Sequence, residues 1–377
     1  MIEVGPSRKL EKVFLAGLYG SDTSAWEIEQ SMEELASLAR AAGATVAGSE
    51  VQKRPAPDPG SFFGRGKVEQ LAARAQEAGA LALVVDQDLT PAQIRNLEES
   101  LGIKVIDRTE VILDIFAARA HTREAKLQVE LAQYEYLLPR LTRMWSHLSR
   151  TGGGIGTRGP GETQLETDRR TVRTRISALK RQLLSVERHR HLIRERRRSS
   201  FRVSLVGYTN AGKSTIMNRL TRSALPAADQ PFMTLDPTTR RLHLGPGLAA
   251  LLTDTVGFVD RLPHHLVAAF HSTLEEVAEA DLLLVIVDAA APGVDRRVNV
   301  VTATLEEIGA AHVDRITVLN KIDRVREGIR PLEERYGPNA LAVSARTGTG
   351  IPALVDLVRA RAASMAQPAA SPPTAAV

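Results

Sequence analysis

The sequence predicts an α/β protein in parts: an N-terminal α/β subdomain over residues 1–120, a long antiparallel helical hairpin over 121–198, a second α/β domain with a mainly parallel sheet over 199–365, and a disordered tail over 366–377. Three observations carry this expectation. Apolar runs alternate with helical periods towards both ends of the chain, the pattern of a parallel sheet covered by helices. Two helical stretches with leucine stripes flank Thr151–Gly161, where six of eleven residues are glycine. A glycine-rich loop motif follows directly on an apolar run that begins at Phe201.

In chain order, Lys12–Tyr19, Ala44–Val51, Ala80–Asp86 and Ile103–Asp107 have the length and apolar content of strands. Helical spacing fills the gaps at Trp26–Ala41, Gly66–Ala78 and Pro91–Leu101, and the three prolines of Arg54–Gly60 mark a loop. Gly64-Arg-Gly-Lys67 precedes the second helix and is explained by capping and close packing, with no second nucleotide site expected. Arg123–Leu148 has Leu127, Leu131, Tyr134, Leu138 and Leu141 at three- and four-residue spacing, with Pro139 as a potential kink. Glu162–Arg198 resumes the helical period through Leu165, Val172, Ile176, Leu179 and Leu183. Each arm would extend on the order of 40–50 Å at about 1.5 Å per residue.

Composition narrows the chemistry. The chain has 377 residues, 43% of them apolar and 25% charged, which suits two or three globular domains and excludes wholesale disorder. It has no cysteine, so disulfides, thiolate metal sites and cysteine nucleophiles are excluded. The longest apolar run is far short of the roughly 20 residues of a membrane helix. A monomer in the cytoplasm is expected. Net charge is +5, but Asp168–Arg198 holds twelve Lys/Arg against three Asp/Glu, leaving the rest of the chain net negative. One basic segment on an otherwise acidic chain points to an anionic macromolecule met at one place. Arg158, Arg169, Arg170, Arg173 and Arg175 sit at and just beyond the hairpin tip, where the planar guanidinium fork suits RNA phosphates and bases.

Gly207-Tyr208-Thr209-Asn210-Ala211-Gly212-Lys213-Ser214, followed by Thr215, is a complete phosphate loop between a strand and a helix. Its glycines let successive N–H groups face phosphates, and the helix adds its positive end. Lys213 is expected to reach the β- and γ-phosphates and Ser214 to reach Mg²⁺. Asp254-Thr255-Val256-Gly257 ends a strand as D-x-x-G: Asp254 would hold magnesium through water, and the Gly257 N–H would meet the γ-phosphate. Asn320-Lys321-Ile322-Asp323 selects guanine, because a carboxylate accepts from both the base N1–H and the N2 amino group and adenine lacks that pair. Lys321 can pack on the ring, and Ser344-Ala345-Arg346 brings a backbone N–H towards the guanine O6. Together these elements imply GTP and GDP as ligands. Between them, Phe232-Met233-Thr234-Leu235-Asp236 and the residues to Arg240 offer Thr234, Thr238 or Thr239 to magnesium. Phe258 stands where many GTPases carry a glutamine that orients water, so intrinsic hydrolysis should be slow unless a partner or a cation completes the site. Asn210 has two readings: a potassium ligand, or a brace for its own loop.

Gly207–Thr215, Phe232–Arg240, Asp254–Phe258, Gly156–Arg170 (GTRGPGETQLETDRR) and Phe62–Leu71 (FFGRGKVEQL) together resemble the HflX family of translational GTPases within the Obg–HflX group. The resemblance covers residues 10–365 and does not extend to the further C-terminal domain that many members carry. It implies an N-terminal α/β subdomain, a helical hairpin and then a P-loop GTPase (G) domain. It implies binding to the large ribosomal subunit and its RNA, and, as in several members, the splitting of stalled or idle ribosomes with GTP. It selects Thr234 as the magnesium ligand, and with it Lys213, Thr234 and Gly257 as the residues acting on the phosphates. It also directs Gly152–Gly161 towards the ribosomal catalytic centre. The alternative is a signalling or scaffold GTPase whose leucine-striped hairpin holds a protein.

Overall fold

The computed structural model describes residues 12–141, 160–195, 200–223, 230–261, 276–325 and 328–366. It forms two compact units that divide between Val186 and Glu187. Each is described by itself.

The first unit is built on a four-stranded parallel sheet in the order β2-β1-β3-β4, from β1 (Lys12–Tyr19), β2 (Thr45–Lys53), β3 (Ala82–Val85) and β4 (Lys104–Asp107). The inner strands read as unbroken apolar runs because helices cover both faces of a parallel sheet. Helices α1 (Ala25–Ala41), α2 (Arg65–Glu77) and α3 (Pro91–Leu101) start where local chemistry allows. Ser24 and Glu27 form a capping box before α1, and Thr90 and Gln93 form another before α3, with Pro91 as its first residue. Gly64 caps α2, and the Lys67 ammonium is held 2.6 Å from Glu50. Phe14, Phe63, Leu71, Leu83, Val85 and Leu97 fill the core on one side of the sheet.

One helix lay hidden in the sequence. Arg108–Arg119 (α4) buries Val111, Ile112, Leu113, Ile115 and Phe116. Its apolar residues spread over more than half of its circumference and leave only Glu110 and Asp114, beside Ala117 and Ala118, on the open side, so the helical period is weak. Asp107 caps it by accepting from the Glu110 N–H at 2.9 Å. The same buried carboxylate accepts from the Tyr136 hydroxyl at 2.9 Å and pairs with Arg140 at 2.8 Å, while the Arg140 guanidinium lies 3.4 Å from the Tyr136 ring centroid. This network ties α5 (Arg123–Arg140) to the end of β4. Burial pushes the Asp107 carboxyl up from its usual range, against Arg140 and the Glu110 N–H. Removing Asp107 strands the mostly buried Arg140 charge and uncaps α4. Asp107→Ala is therefore expected to cost about 3–4 kcal/mol in urea unfolding, and Tyr136→Phe only about 1. Equal losses would count against Asp107 as the hub.

Pro139 falls in the last turn of α5, and α6 runs from Pro160 to Glu195. The expected non-helical stretch Thr151–Gly161 thus gives up its last two residues: Pro160 begins α6, where its fixed φ suits a first turn. The rest of that stretch, residues 142–148 at the end of the expected first arm, and Arg196–Arg198 lie outside the described residues. Leu127 and Leu131 of α5 pack with Leu179 and Leu183 of α6, joined by Tyr134, Ile176 and Val186. Glu130–Arg175 and Glu135–Lys180 pairs, at 2.6 and 2.8 Å, flank this seam.

The second unit carries a six-stranded sheet in the order β10-β9-β8-β5-β7-β6. The strands are β5 (Phe201–Gly207), β6 (Thr238–Gly245), β7 (Leu248–Asp254), β8 (Leu282–Asp288), β9 (Arg315–Asn320) and β10 (Ala340–Ala342). All neighbours are parallel except β6, which forms an antiparallel hairpin with β7. Among the described residues the sheet is accompanied by helices α7 (Lys213–Thr221), α8 (Val294–Glu307), α9 (Arg330–Tyr336) and α10 (Ile351–Ala366). Parallel order brings the C-terminal ends of β5, β7, β8 and β9 to one edge, where open α/β sheets bind ligands. Among the described residues no helix is long and apolar enough to cross a membrane.

Candidate functional site

At that edge β5 delivers Gly207 and α7 begins at Lys213. Gly212 caps α7 with φ +95°, and a Cβ there would lie 2.3 Å from the Asn320 amide nitrogen. Only glycine satisfies both the backbone and the close approach of the base loop. Lys213 is buried and donates to the carbonyls of Gly207 and Tyr208 at 3.1 and 3.0 Å. Burial lowers its pKa to about 8, with Asp254 pulling the other way.

Three oxygen-bearing side chains meet beside it. The Ser214 hydroxyl donates to Asp254 Oδ2 at 2.6 Å, Thr234 donates to the same oxygen at 3.0 Å, and the two hydroxyls stand 2.8 Å apart. Asp254 is fully buried; the Thr255 N–H also faces its carboxyl, and its other oxygen, Oδ1, meets no hydrogen-bond partner by geometry among the described residues. Burial raises the pKa of this carboxyl, opposed by Lys213 and the two hydroxyls. A buried carboxylate oxygen without a donor is costly to leave so. An all-oxygen cluster of one acid and two hydroxyls has the donor chemistry of a hard divalent cation. Of the three candidate threonines, Thr234 stands in this cluster. Thr238 and Thr239 begin β6, where Thr239 meets Thr253 at 3.1 Å.

Thr209, Asn210, Gly212, Ser214 and Thr215 line a cleft with Phe232, Met233, Thr255 and Gly257. Ala211, Leu235 and Val256 are buried, while Asp236 is half-buried outside the cleft lining. Gln230 also lines the cleft and was missed, since it lies in no motif.

The base loop joins the phosphate loop through Asn320, which is buried. Its Nδ2 donates to the Ala211 carbonyl at 2.8 Å, and its Oδ1 accepts from the Ala345 N–H at 3.1 Å. Lys321 has φ +63° and donates to the Asn210 carbonyl while pairing with Asp288, both at 2.7 Å. Asp288 is a second residue that sequence reasoning did not single out. Its strand-end position after an apolar run was the available signal. Ile322–Arg324 forms a single 3₁₀ turn that presents Asp323 in the open, steadied by the Ser344 hydroxyl at 2.7 Å. The Arg346 side chain is exposed, and its carbonyl accepts from Arg219 at 3.1 Å.

The arginines chosen for RNA divide. Arg169, Arg170 and Arg173 line one groove along α6 with Glu166, Thr174 and Ser177. Arg175 is engaged with Glu130 in the α5–α6 seam, and Arg158 lies outside the described residues.

Comparison with known proteins agrees with this organisation. Residues 29–117 match the family described as GTP-binding GTPase N-terminal, 119–197 its middle region, and 202–321 the 50S ribosome-binding GTPase family. A GTPase HflX of Lacrimispora saccharolytica is 47% identical over 350 residues, covering 92% of this chain and 82% of its own. The Escherichia coli GTPase HflX is 48% identical over 337 residues, covering 88% and 79%. The crystal structure of SsGBP in complex with GDP superposes with a TM-score of 0.51 at 23% identity, covering 95% of this chain and all of that one, a likeness of fold. With a phosphate loop, a D-x-x-G aspartate and a base loop converging on one sheet edge, and with identity spread along nearly its whole length, the chain is a GTP-hydrolysing enzyme and belongs to the HflX family.

Proposed function

We propose that the chain is a magnesium-dependent GTPase of the cytoplasm that binds the large ribosomal subunit through its RNA and splits or rescues stalled or idle ribosomes. The observation that carries this reading is the match of residues 202–321 to a family described as 50S ribosome-binding, beside an arginine-lined groove on α6. The leucine stripe that a protein partner would need is already buried between α5 and α6, which favours RNA as what the hairpin meets.

In this reading Ser214 and Thr234 hold Mg²⁺ directly and Asp254 holds it through water. Bound there, magnesium supplies neutralisation of charge on the phosphate oxygens. Lys213 exchanges the Gly207 and Tyr208 carbonyls for the β- and γ-phosphates, and the Gly257 N–H faces the γ-phosphate. Asp323 takes the two donors of guanine, and Lys321 packs on the ring. Phe258, an almost wholly buried ring, does not orient water. Unaided turnover is accordingly slow, and either the ribosome or a potassium ion held at Asn210 completes the site.

Hydrolysis should rise strongly when purified large subunits are added in potassium buffer. The combined changes Arg169→Glu, Arg170→Glu and Arg173→Glu should remove that rise and flatten the salt dependence of binding, since each phosphate contact contributes to the slope. An unchanged rate, with no co-sedimentation in the GTP-analogue state, would overturn the ribosomal reading. Equal turnover in potassium and sodium would overturn the role of Asn210. Chelating magnesium should speed release of a fluorescent GDP on the order of tenfold, which corresponds to about 1.4 kcal/mol of lost diphosphate binding. An unaffected release rate would speak against Ser214 and Asp254 as its holders in the GDP state.

A further inference from the structure

The segment after the D-x-x-G glycine is fastened to the phosphate loop by a row of hydrogen bonds. The Phe258 N–H donates to the Gly207 carbonyl at 3.1 Å, and the Thr209 N–H donates to the Phe258 carbonyl at 2.7 Å. One step further on, the Asp260 N–H donates to the Tyr208 hydroxyl at 2.8 Å. Tyr208 is thus the side chain, among these contacts, that reaches across from the phosphate loop to Asp260.

Its surroundings fix it in that role. The tyrosine is 8% exposed, and the Arg297 guanidinium lies 5.2 Å from its ring centroid. The neighbouring Arg296 pairs with the Asp260 carboxylate. Both arginines belong to the first turn of α8, which starts at Val294. Tyr208 and Asp260 are therefore held from one side by one rigid element. What they hold is Gly257, packed so close that a Cβ on it would lie 2.8 Å from the Thr209 Cα and 2.9 Å from the Lys213 ammonium. A backbone donor meant for the γ-phosphate must be kept within a few tenths of an ångström to be useful.

We propose that Tyr208 is a positioning residue for GTP hydrolysis: its hydroxyl, taken by the Asp260 N–H and held in place by Arg296 and Arg297, latches the D-x-x-G segment so that the Gly257 N–H is aimed before the triphosphate arrives. The nucleotide's diphosphate and base do not depend on this latch. It acts on the γ-phosphate alone, and so on turnover rather than on GDP binding. The inference rests on the GTPase activity and is independent of what the hairpin binds.

Tyr208→Phe keeps the ring under Arg297 and removes only the hydroxyl. In the full-length protein, single-turnover hydrolysis without ribosomes should fall about five- to tenfold, as loss of one well-placed hydrogen bond implies. The affinity for fluorescent GDP should stay within about twofold, because GDP makes no use of Gly257. The Asp260 amide should exchange its hydrogen faster. Arg296→Met should show a smaller loss in the same direction, and the double variant should be no slower than Tyr208→Phe alone if both act through one latch. An unchanged hydrolysis rate in Tyr208→Phe would overturn the proposal. So would a parallel fall in GDP affinity and melting temperature, which would mark the hydroxyl as packing for the whole site.

Discussion

An Asp323→Asn variant is expected to reject GTP and accept xanthosine triphosphate. The carboxylate sits on a single exposed 3₁₀ turn and accepts one hydrogen bond from the Ser344 hydroxyl at 2.7 Å. An asparagine carbonyl accepts that same bond, so the loop keeps its shape. Guanine, however, offers two donors side by side, N1–H and the N2 amino group. An amide meets them with one acceptor and one donor, and the donor pair collides. Xanthine replaces the amino group with a carbonyl, which restores a matched pair. Sites built to hydrogen-bond a substrate reject analogues by large factors, so GTP affinity should drop by about 10³-fold or more. Competition against fluorescent GDP and phosphate release with each triphosphate would measure both halves of the switch. GTP affinity within about tenfold of the parent would mean that Asp323 does not face the base.

The same residues show how far sequence reaches. Asp323, Asn320, Lys213 and Asp254 belong to motifs whose spacing is set by the strand ends that carry them, so their grouping at one sheet edge was legible from pattern alone. The choice among Thr234, Thr238 and Thr239 was not legible from residue type and spacing, and rests on the resemblance of Phe232–Arg240 to the HflX family. All three are hydroxyls on one short stretch, and only the chain path between α7 and β6 puts Thr234 at 2.8 Å from Ser214 and hands Thr239 to Thr253. Helix α4 stayed hidden because Val111, Ile112, Leu113, Ile115 and Phe116 leave it only a narrow polar strip at Glu110 and Asp114, and so a weak helical period. The network of Asp107, Tyr136 and Arg140 joins positions far apart in the chain, and no local rule couples them. Arg175 reads from sequence as one of five arginines for RNA, yet its partner Glu130 sits on the other helix of the seam. Patterns report what a residue type can do, while partners assigned by tertiary packing decide which of those things it does.

That distinction gives the threonines a sharp test. Thr234→Ala should lower the turnover number for GTP by about 10²-fold, the usual scale for losing one group that stabilises charge at a phosphate. GDP affinity should change by less than about threefold, because in the proposed reading the Thr234 segment serves the γ-phosphate and its metal rather than the diphosphate. Thr239→Ala is the matched control. It loses a hydroxyl of the same kind from β6, one that meets Thr253 among the described residues, and should remain within about twofold in turnover, as a single partly exposed hydrogen bond implies. Thr234→Ser keeps the oxygen and drops the methyl, so it should recover most of the activity. If Thr239→Ala proved the slower enzyme, the oxygen cluster around Asp254 would be a packing arrangement of the free protein, and the metal-binding segment would have to rearrange when the triphosphate binds. If Thr234→Ala weakened GDP as much as it slowed turnover, the hydroxyl would serve Ser214 and Asp254 in every nucleotide state, and the buried, undonated Oδ1 of Asp254 would need another explanation than a cation. Loss of turnover alone, restored by serine, is the result that ties the 2.6–3.0 Å contacts of Ser214, Thr234 and Asp254 to magnesium and to the γ-phosphate.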